Sequence, residues 1–372
     1  MPQERSSPKQ AVLRVLETED TPALVIDRGM IRQKYREFCH EFPGWHIYYA
    51  LKANPHPGIV EVLRELGCDF EISSQGELDL LLRLGVPAER IISSNPVKAP
   101  AFIRSARDAG IDVFAFDSSA EVDKLSRLAP GSKVYVRLSV PNEGSEWPLS
   151  KKFGVETEEA VDFLVQAQDS GLAPQGIAFH VGSQCTNPST WAKAIGKSRA
   201  VWDMAASRGV ELCALNIGGG FPVEYTRPVP SVGEIARVVR EAIGQTFPQG
   251  VDVLVAPGRA LVGEAGVLAA TVLAKADRDG EKWLYLDVGV FNGLMEAVGG
   301  MKYALSAPRG GQNERWVLAG PSCDSFDVIS TEAELPELEI GDRLYIKSAG
   351  AYTTAYASEF DGFPIPKVHF VE

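Results

Sequence analysis

The stretch His46-Ile47-Tyr48-Tyr49-Ala50-Leu51-Lys52-Ala53-Asn54-Pro55 sets the reading of this chain. Its first six residues are rich in β-branched, aromatic and aliphatic side chains and are short enough to form one buried strand, while Pro55 forbids simple continuation. Lys52 is therefore expected where a strand ends. An amine held at a dry strand end has its charged form disfavoured, which lowers its pKa and frees it to condense with a carbonyl compound. The plainer alternative is a stem that snorkels to water.

Working outward, apolar runs of the same kind recur with helical stretches between them. They are Asp69 to Ser74, Ile91 to Asn95, Val113 to Asp117, Val134 to Leu138, Gly176 to Val181, Leu212 to Gly220 and Val251 to Ala256. Between them, Gly76 to Gly85, Ala99 to Gly110, Glu158 to Gly171 and Trp191 to Gly209 carry Leu, Ile, Val and Ala at helical spacing, with glycine as a stop. Eight strand-helix alternations over roughly 230 residues predict an α/β fold, a (β/α)8 TIM barrel. A doubly wound open sheet is the alternative, but it would place a glycine-rich turn after its first strand, where this chain has Lys52.

Active sites of such barrels lie at the carboxyl ends of the strands. Lys52, Glu71, Asn95, Arg137, His180, Gly218 to Gly220 and Pro257-Gly258-Arg259 would then share one mouth. A lone His180 would be read as a core histidine, and a lone Arg137 as a surface ion-pair partner. An amine, a carboxylate, a guanidinium, an imidazole and a glycine turn at successive strand ends are harder to explain as packing. Consecutive glycines in Asn216-Ile217-Gly218-Gly219-Gly220-Phe221-Pro222 let backbone N–H groups approach an anion, although a flexible turn has the same composition. Arg259 would offer a charged fork to that anion. An imine-forming lysine and a phosphate cradle at one mouth point to pyridoxal phosphate.

The chain has 372 residues, more than one barrel needs, and a net charge of −12. That charge argues against nucleic acid as a partner and is compatible with a cationic substrate. No run has the length of a membrane span, and Met1 to Gln10 lacks an apolar signal core. Five cysteines, an odd number without C-x-x-C or metal-ligand spacing, suit a reducing cytoplasm. Beyond Leu261 the pattern changes to strands and turns: Val267 to Lys275, a turn at Asp277 to Gly280, Lys282 to Val288, then Arg315 to Ala319, Asp342 to Ser348 and Lys367 to Val371. The expected organisation is an N-terminal segment, 1–20, pairing with a later sheet through a strand at Ala11 to Glu17; a barrel, 21–260; and a mostly β C-terminal domain, 261–372.

From Thr21-Pro22-Ala23-Leu24 to Gly362-Phe363-Pro364-Ile365-Pro366-Lys367 the chain resembles the barrel-fold pyridoxal-phosphate decarboxylases of basic amino acids. These are the ornithine, lysine and diaminopimelate decarboxylase group. The resemblance rests on YYALKANP around Lys52, KFG at Lys152 to Gly154, HVGSQ from His180, GGGFP from Gly218, PGR at Pro257 to Arg259, GPSCDSFD from Gly320 and GAYT from Gly350. CDSFD at Cys323 favours the ornithine/lysine branch over the diaminopimelate branch. The resemblance implies that Lys52 carries the cofactor as an imine and that His180 stacks on its ring. Ser183, Gly218, Gly219, Gly220, Arg259 and Tyr352 would hold its phosphate, with Glu71 and Arg137 as a polar pair under the ring. Cys323 would control protonation of the substrate α-carbon, Asp324 would receive the distal ammonium, and Phe363 would line the substrate site. A homodimer with shared sites, making putrescine or cadaverine, is implied.

Two departures stand out. The family pattern reads EPGR where this chain has Ala256-Pro257-Gly258-Arg259, so the carboxylate expected at the pyridine nitrogen is missing. Either another acid substitutes, with Glu264 the nearest later candidate, or the chain is an inactive variant, or it performs other chemistry that needs a weaker electron sink, or it decarboxylates more slowly; a non-catalytic regulatory homologue is a further alternative. An alanine-racemase-like reading is disfavoured, because those enzymes place an arginine at this nitrogen. Val298-Gly299-Gly300-Met301 also lacks an acid that the family's eukaryotic ornithine enzymes carry there, and Glu296 is the nearby substitute.

Overall fold

The computed structural model describes residues 10–149 and 151–372. The chain divides into two compact units. One comprises Lys34–Pro222 and Val229–Ala260, the other residues 10–33, Val223–Pro228 and Leu261–Glu372.

The first unit is a closed parallel barrel of eight strands: His46–Ala50, Asp69–Ile72, Ile91–Ser93, Val113–Phe116, Lys133–Arg137, Ala173–Ala178, Ala214–Asn216 and Asp252–Val255. These are the eight runs expected from sequence. Closure is made where Leu254 and Val255 pair with His46 and Ile47. Tyr48, Ile92, Tyr135, Ala178, Ala214, Leu254 and Ala256 fill part of the interior, large side chains packing against small ones as a closed barrel requires. Helices follow the strands, as at Gln75–Arg83, Pro100–Asp108, Thr157–Asp169 and Ser189–Ser207. Their starts are chemically marked: the Ser74 and Ser118 hydroxyls accept from the N–H groups of Glu77 and Glu121, and Ser231 and Glu234 form a capping box.

The second unit is built on an eight-stranded sheet. Its path runs Leu305–Ser306, Arg343–Ile346, Gly266–Arg278, Glu281–Leu286, Glu314–Ala319 and Val328–Leu335. The expected hairpin is present as the antiparallel pair Gly266–Arg278 and Glu281–Leu286. Ala23–Asp27 joins this sheet, antiparallel to Gly266–Arg278 and parallel to Lys367–Val371, rather than belonging with the barrel as the 21–260 boundary had it. All five of its residues are buried, as befits a strand flanked on both edges.

The N-terminal segment also differs from expectation. Ala11 to Glu17 lies within the helix Gln10–Thr18, not in a strand, and residues 1–9 of that segment lie outside the described residues. Val12 and Leu16, one helical turn apart, are buried with Val25, Val267, Ala269 and Tyr345, so the segment packs on the sheet instead of pairing with it. The same apolar residues at i and i+4 serve a helix better than the alternation a strand needs.

Candidate active site

In the barrel unit, Lys52 stands on a single 3-10 turn, Leu51–Ala53, directly after the first barrel strand. The turn is closed by the Asn54 N–H donating to Leu51 O at 3.1 Å and braced by the Tyr49 hydroxyl on Asn54 O at 2.9 Å. Lys52 is exposed, so the expectation of a dry strand end is not met: the turn carries the amine past the strand's buried face. Glu71 lies in register with Ala50 at the end of the second strand and is half-buried.

A further acid, Glu77, escaped the sequence reading because it looks like an ordinary helix-start carboxylate three residues after Ser74. It accepts the Ser73 N–H at 2.6 Å. Burial raises its pKa, the Ser73 N–H and the Lys52 charge oppose that rise, and Glu71 adds to it. Lys52, Glu71 and Glu77 therefore share one electrostatic field.

Arg137 ends the fifth strand, and its carbonyl accepts the Val155 N–H at 3.0 Å. Burial lowers its pKa, against the attraction of Glu71 and Asp117. His180 follows the sixth strand, and its Nδ1 accepts the Gly182 N–H at 3.0 Å. Burial, then Arg137, then Lys52 hold its pKa well below the ordinary value. The imidazole is thus neutral, with its proton on Nε2, because the other nitrogen is an acceptor. Asn95, after the third strand, belongs to a loop locked by Lys98. The buried Lys98 ammonium donates to the carbonyls of Asn95, Pro96 and Ala115 and pairs with Glu121 at 3.0 Å.

The glycine turn follows the seventh strand. Asn216 Oδ1 accepts the Gly218 N–H at 2.9 Å, and the Ala256 N–H donates to Gly218 O at 2.8 Å. Gly218 has φ +65°, and a Cβ there would collide with Phe179 O; one on Gly219 would lie 2.5 Å from Ala256 O and 3.4 Å from His180 Nε2. Side chains are excluded by the neighbouring backbone. Arg259, only 3% exposed, donates to Ser183 Oγ at 3.1 Å. A bare glycine turn, a buried guanidinium and a serine hydroxyl suit a phosphate, and a neutral imidazole beside them suits an aromatic ring. With an amine available in the same unit, these residues fit pyridoxal phosphate. Ala256 sits in the apolar barrel cluster, 4% exposed.

Cys323, Asp324, Tyr352, Phe363 and Glu264 belong to the β unit. Cys323 and Asp324 lie exposed on a turn built around Asp327. That buried carboxylate accepts the N–H groups of Val290 at 2.7 Å and Ser322 at 3.1 Å and the Ser322 hydroxyl at 2.7 Å. The Cys323 N–H donates to Asp361 Oδ2 at 2.9 Å. Tyr352 is half-buried at φ +58°, its ring 5.5 Å from that of Tyr356. Phe363 is half-buried after the turn Phe360–Gly362, Glu264 is half-buried, and Glu296 is buried in the turn Met295–Gly299.

The family described as "Pyridoxal-dependent decarboxylase, pyridoxal binding domain" matches residues 28–263. A lysine/ornithine decarboxylase of Selenomonas ruminantium is 35% identical over 347 residues, 92% of this chain and 88% of that protein. Antizyme inhibitor 2 of Xenopus laevis is 34% identical, covering 97% of this chain and 84% of that protein. The solved lysine/ornithine decarboxylase of Vibrio vulnificus complexed with cadaverine superposes with a TM-score of 0.90 at 35% identity, over 97% of this chain and 98% of that one.

Proposed function

The chain belongs to the pyridoxal-dependent decarboxylases, carboxy-lyases that use pyridoxal phosphate, and from that premise we propose that it α-decarboxylates ornithine or lysine to putrescine or cadaverine. The observation that carries this reading is the grouping in one barrel of Lys52, the Glu71 and Arg137 charges, neutral His180, and the Ser183–Arg259 pair beside a bare glycine turn. The substrates named for the lysine/ornithine decarboxylases of Selenomonas and Vibrio support it.

Pyridoxal phosphate, when bound, supplies the electron sink for the pair left behind by departing CO₂. In this reading Lys52 anchors the cofactor, His180 packs on its ring, and Gly218, Gly219, Gly220, Ser183, Arg259 and Tyr352 hold its phosphate. A neutral His180 adds no positive charge over the ring, while Glu71 balances Arg137. Asp324 takes the distal ammonium, Phe363 lines the apolar part of the substrate site, and the Cys323 thiol returns a proton to the α-carbon. Cys323 and Asp324 act from a partner subunit, in a homodimer. Exposed Phe326 and Phe360, unusual as solvated side chains, support an interface near that turn.

Mass spectrometry of products from a panel of basic amino acids, both enantiomers included, tests the reaction. Release of the matching diamine from ornithine or lysine is expected; no CO₂ release from any member sinks the reading. Borohydride treatment of the holoprotein followed by intact-mass analysis tests the anchor: the wild-type chain should retain the cofactor's mass and Lys52→Ala should not.

Ala256 favours a second reading, a different pyridoxal-phosphate reaction on an amino acid or amine. Its methyl group lies among Tyr48, Ile92, Tyr135, Ala178, Ala214 and Leu254, so this position offers no carboxylate to hold a proton on a ring nitrogen. If Ala256→Glu leaves CO₂ release unchanged, the missing acid is not limiting. A non-catalytic regulatory role, suggested by the antizyme inhibitor relative, is opposed by Lys52, Cys323 and the anion-holding set, none of which a decoy needs. Among the described residues no helix is long and apolar enough to cross a membrane, and the free cysteines support a cytoplasmic setting.

A further inference from the structure

We infer that Ser145 is a positioning residue for the anion-holding corner of the barrel, acting through Gly182, Ser183 and the glycine turn. This rests on the reading that Ser183, Arg259 and Gly218 to Gly220 hold the cofactor's phosphate.

Ser145 lies in the loop after the fifth barrel strand, a loop with no periodic signal in its sequence. The structure stitches that loop onto the segment after the sixth strand. Ser145–Trp147 and Ser183–Cys185 form a two-stranded antiparallel pair, with Ser145 opposite Cys185 and Trp147 opposite Ser183. Around it, the Thr186 N–H donates to Gly144 O at 2.8 Å and the Thr190 hydroxyl to Glu143 O at 2.6 Å.

Four contacts carry the effect inward. The Ser145 hydroxyl donates to Ser183 O at 2.8 Å, fixing the backbone of the residue whose own hydroxyl accepts from Arg259. Ser145 also occupies the space where a Cβ on Gly182 would lie, 2.6 Å from Ser145 Cβ, and Gly182 has φ +95°. The Gly182 N–H is the donor that orients His180 Nδ1. On the far edge of the same segment the Cys185 N–H donates to Gly220 O at 2.8 Å. Ser183–Cys185 is thus held between the loop on one side and the glycine turn on the other. A group that fixes this segment fixes Ser183, which is the arginine's partner, and one glycine together.

The test is titration of the cofactor-free full-length chain with pyridoxal phosphate and with pyridoxal, which lacks the phosphate, alongside thermal unfolding. Ser145→Ala should raise the Kd for pyridoxal phosphate by about three- to ten-fold, the equivalent of one ordinary hydrogen bond. The Kd for pyridoxal should rise by clearly less than that for pyridoxal phosphate, and the Tm of the cofactor-free chain should fall by no more than the loss of one hydrogen bond allows. An unchanged Kd for pyridoxal phosphate, or an equal rise for both ligands, overturns the inference. Arg259→Gln separates this from the reading beneath it. If Arg259→Gln leaves the preference for pyridoxal phosphate over pyridoxal intact, the phosphate assignment fails, and the role of Ser145 with it. If Arg259→Gln abolishes the preference while Ser145→Ala leaves it whole, only the role of Ser145 is lost.

Discussion

Lys52 is exposed on its turn, and the residues near it differ from it in what sequence could say about them. Its own importance was legible because an amine following a run such as His46 to Leu51 is rare. Glu77 was not legible, because Ser-x-x-Glu describes countless helix starts and only the fold brings this one into the field of Lys52. His180 gives a measurable consequence. Its folded-state pKa lies well below the ordinary value, so under acid the unfolded chain takes up a proton that the folded chain refuses. Stability is therefore expected to fall as pH drops below about 6.5, with a slope from this residue of at most ~1.4 kcal/mol per pH unit. Urea unfolding of the cofactor-free chain between pH 7 and pH 5 measures it. His180→Phe should flatten that dependence, and an equally steep slope in the variant would remove His180 as its source.

At the scale of elements, the eight barrel strands were readable since each is a short β-rich run ending in polar residues. Elements whose identity depends on distant partners were not. Ala23–Asp27 looks like any other strand, and nothing local says that its neighbours are Gly266–Arg278 and Lys367–Val371. Val328–Leu335 was missed because its Ser, Thr and Glu residues interrupt the apolar alternation, as suits a sheet's outer strand. The loop after the third barrel strand shows how an element end is held by chemistry that spacing does not reveal. Lys98 there satisfies three carbonyls, and removing its ammonium should cost about 2–4 kcal/mol in Lys98→Met, measured by chemical denaturation. Burial, the largest cause, lowers its pKa to about 8 despite Glu121. Between pH 8 and the ordinary lysine range the unfolded chain keeps a proton that the folded chain has released. Wild-type stability should therefore gain from this residue as pH rises through that window, and Lys98→Met should lack that gain.

At the scale of the whole molecule, the proposed division of labour assigns Lys52 to the barrel unit and Cys323 to the β unit, working across a two-fold pair of chains. Mixing inactive Lys52→Ala with inactive Cys323→Ala should then restore about a quarter of wild-type activity, since random pairing makes half the dimers mixed, each with one intact site of two. Absence of any recovery, with subunit exchange verified by native mass spectrometry, rules out shared sites. The strand Ala23–Asp27 has a consequence of a different kind, one of timing. It precedes all eight barrel strands in the chain, yet both of its sheet neighbours, Gly266–Arg278 and Lys367–Val371, follow the last of them. During translation the barrel can assemble from contiguous βα units while this buried-type strand waits with both edges unpaired. A nascent chain that has passed Val255 but not reached residue 266 would therefore carry all eight barrel strands and an adhesive apolar ribbon with neither partner yet made, which makes Ala23–Asp27 the segment most in need of a chaperone until both arrive.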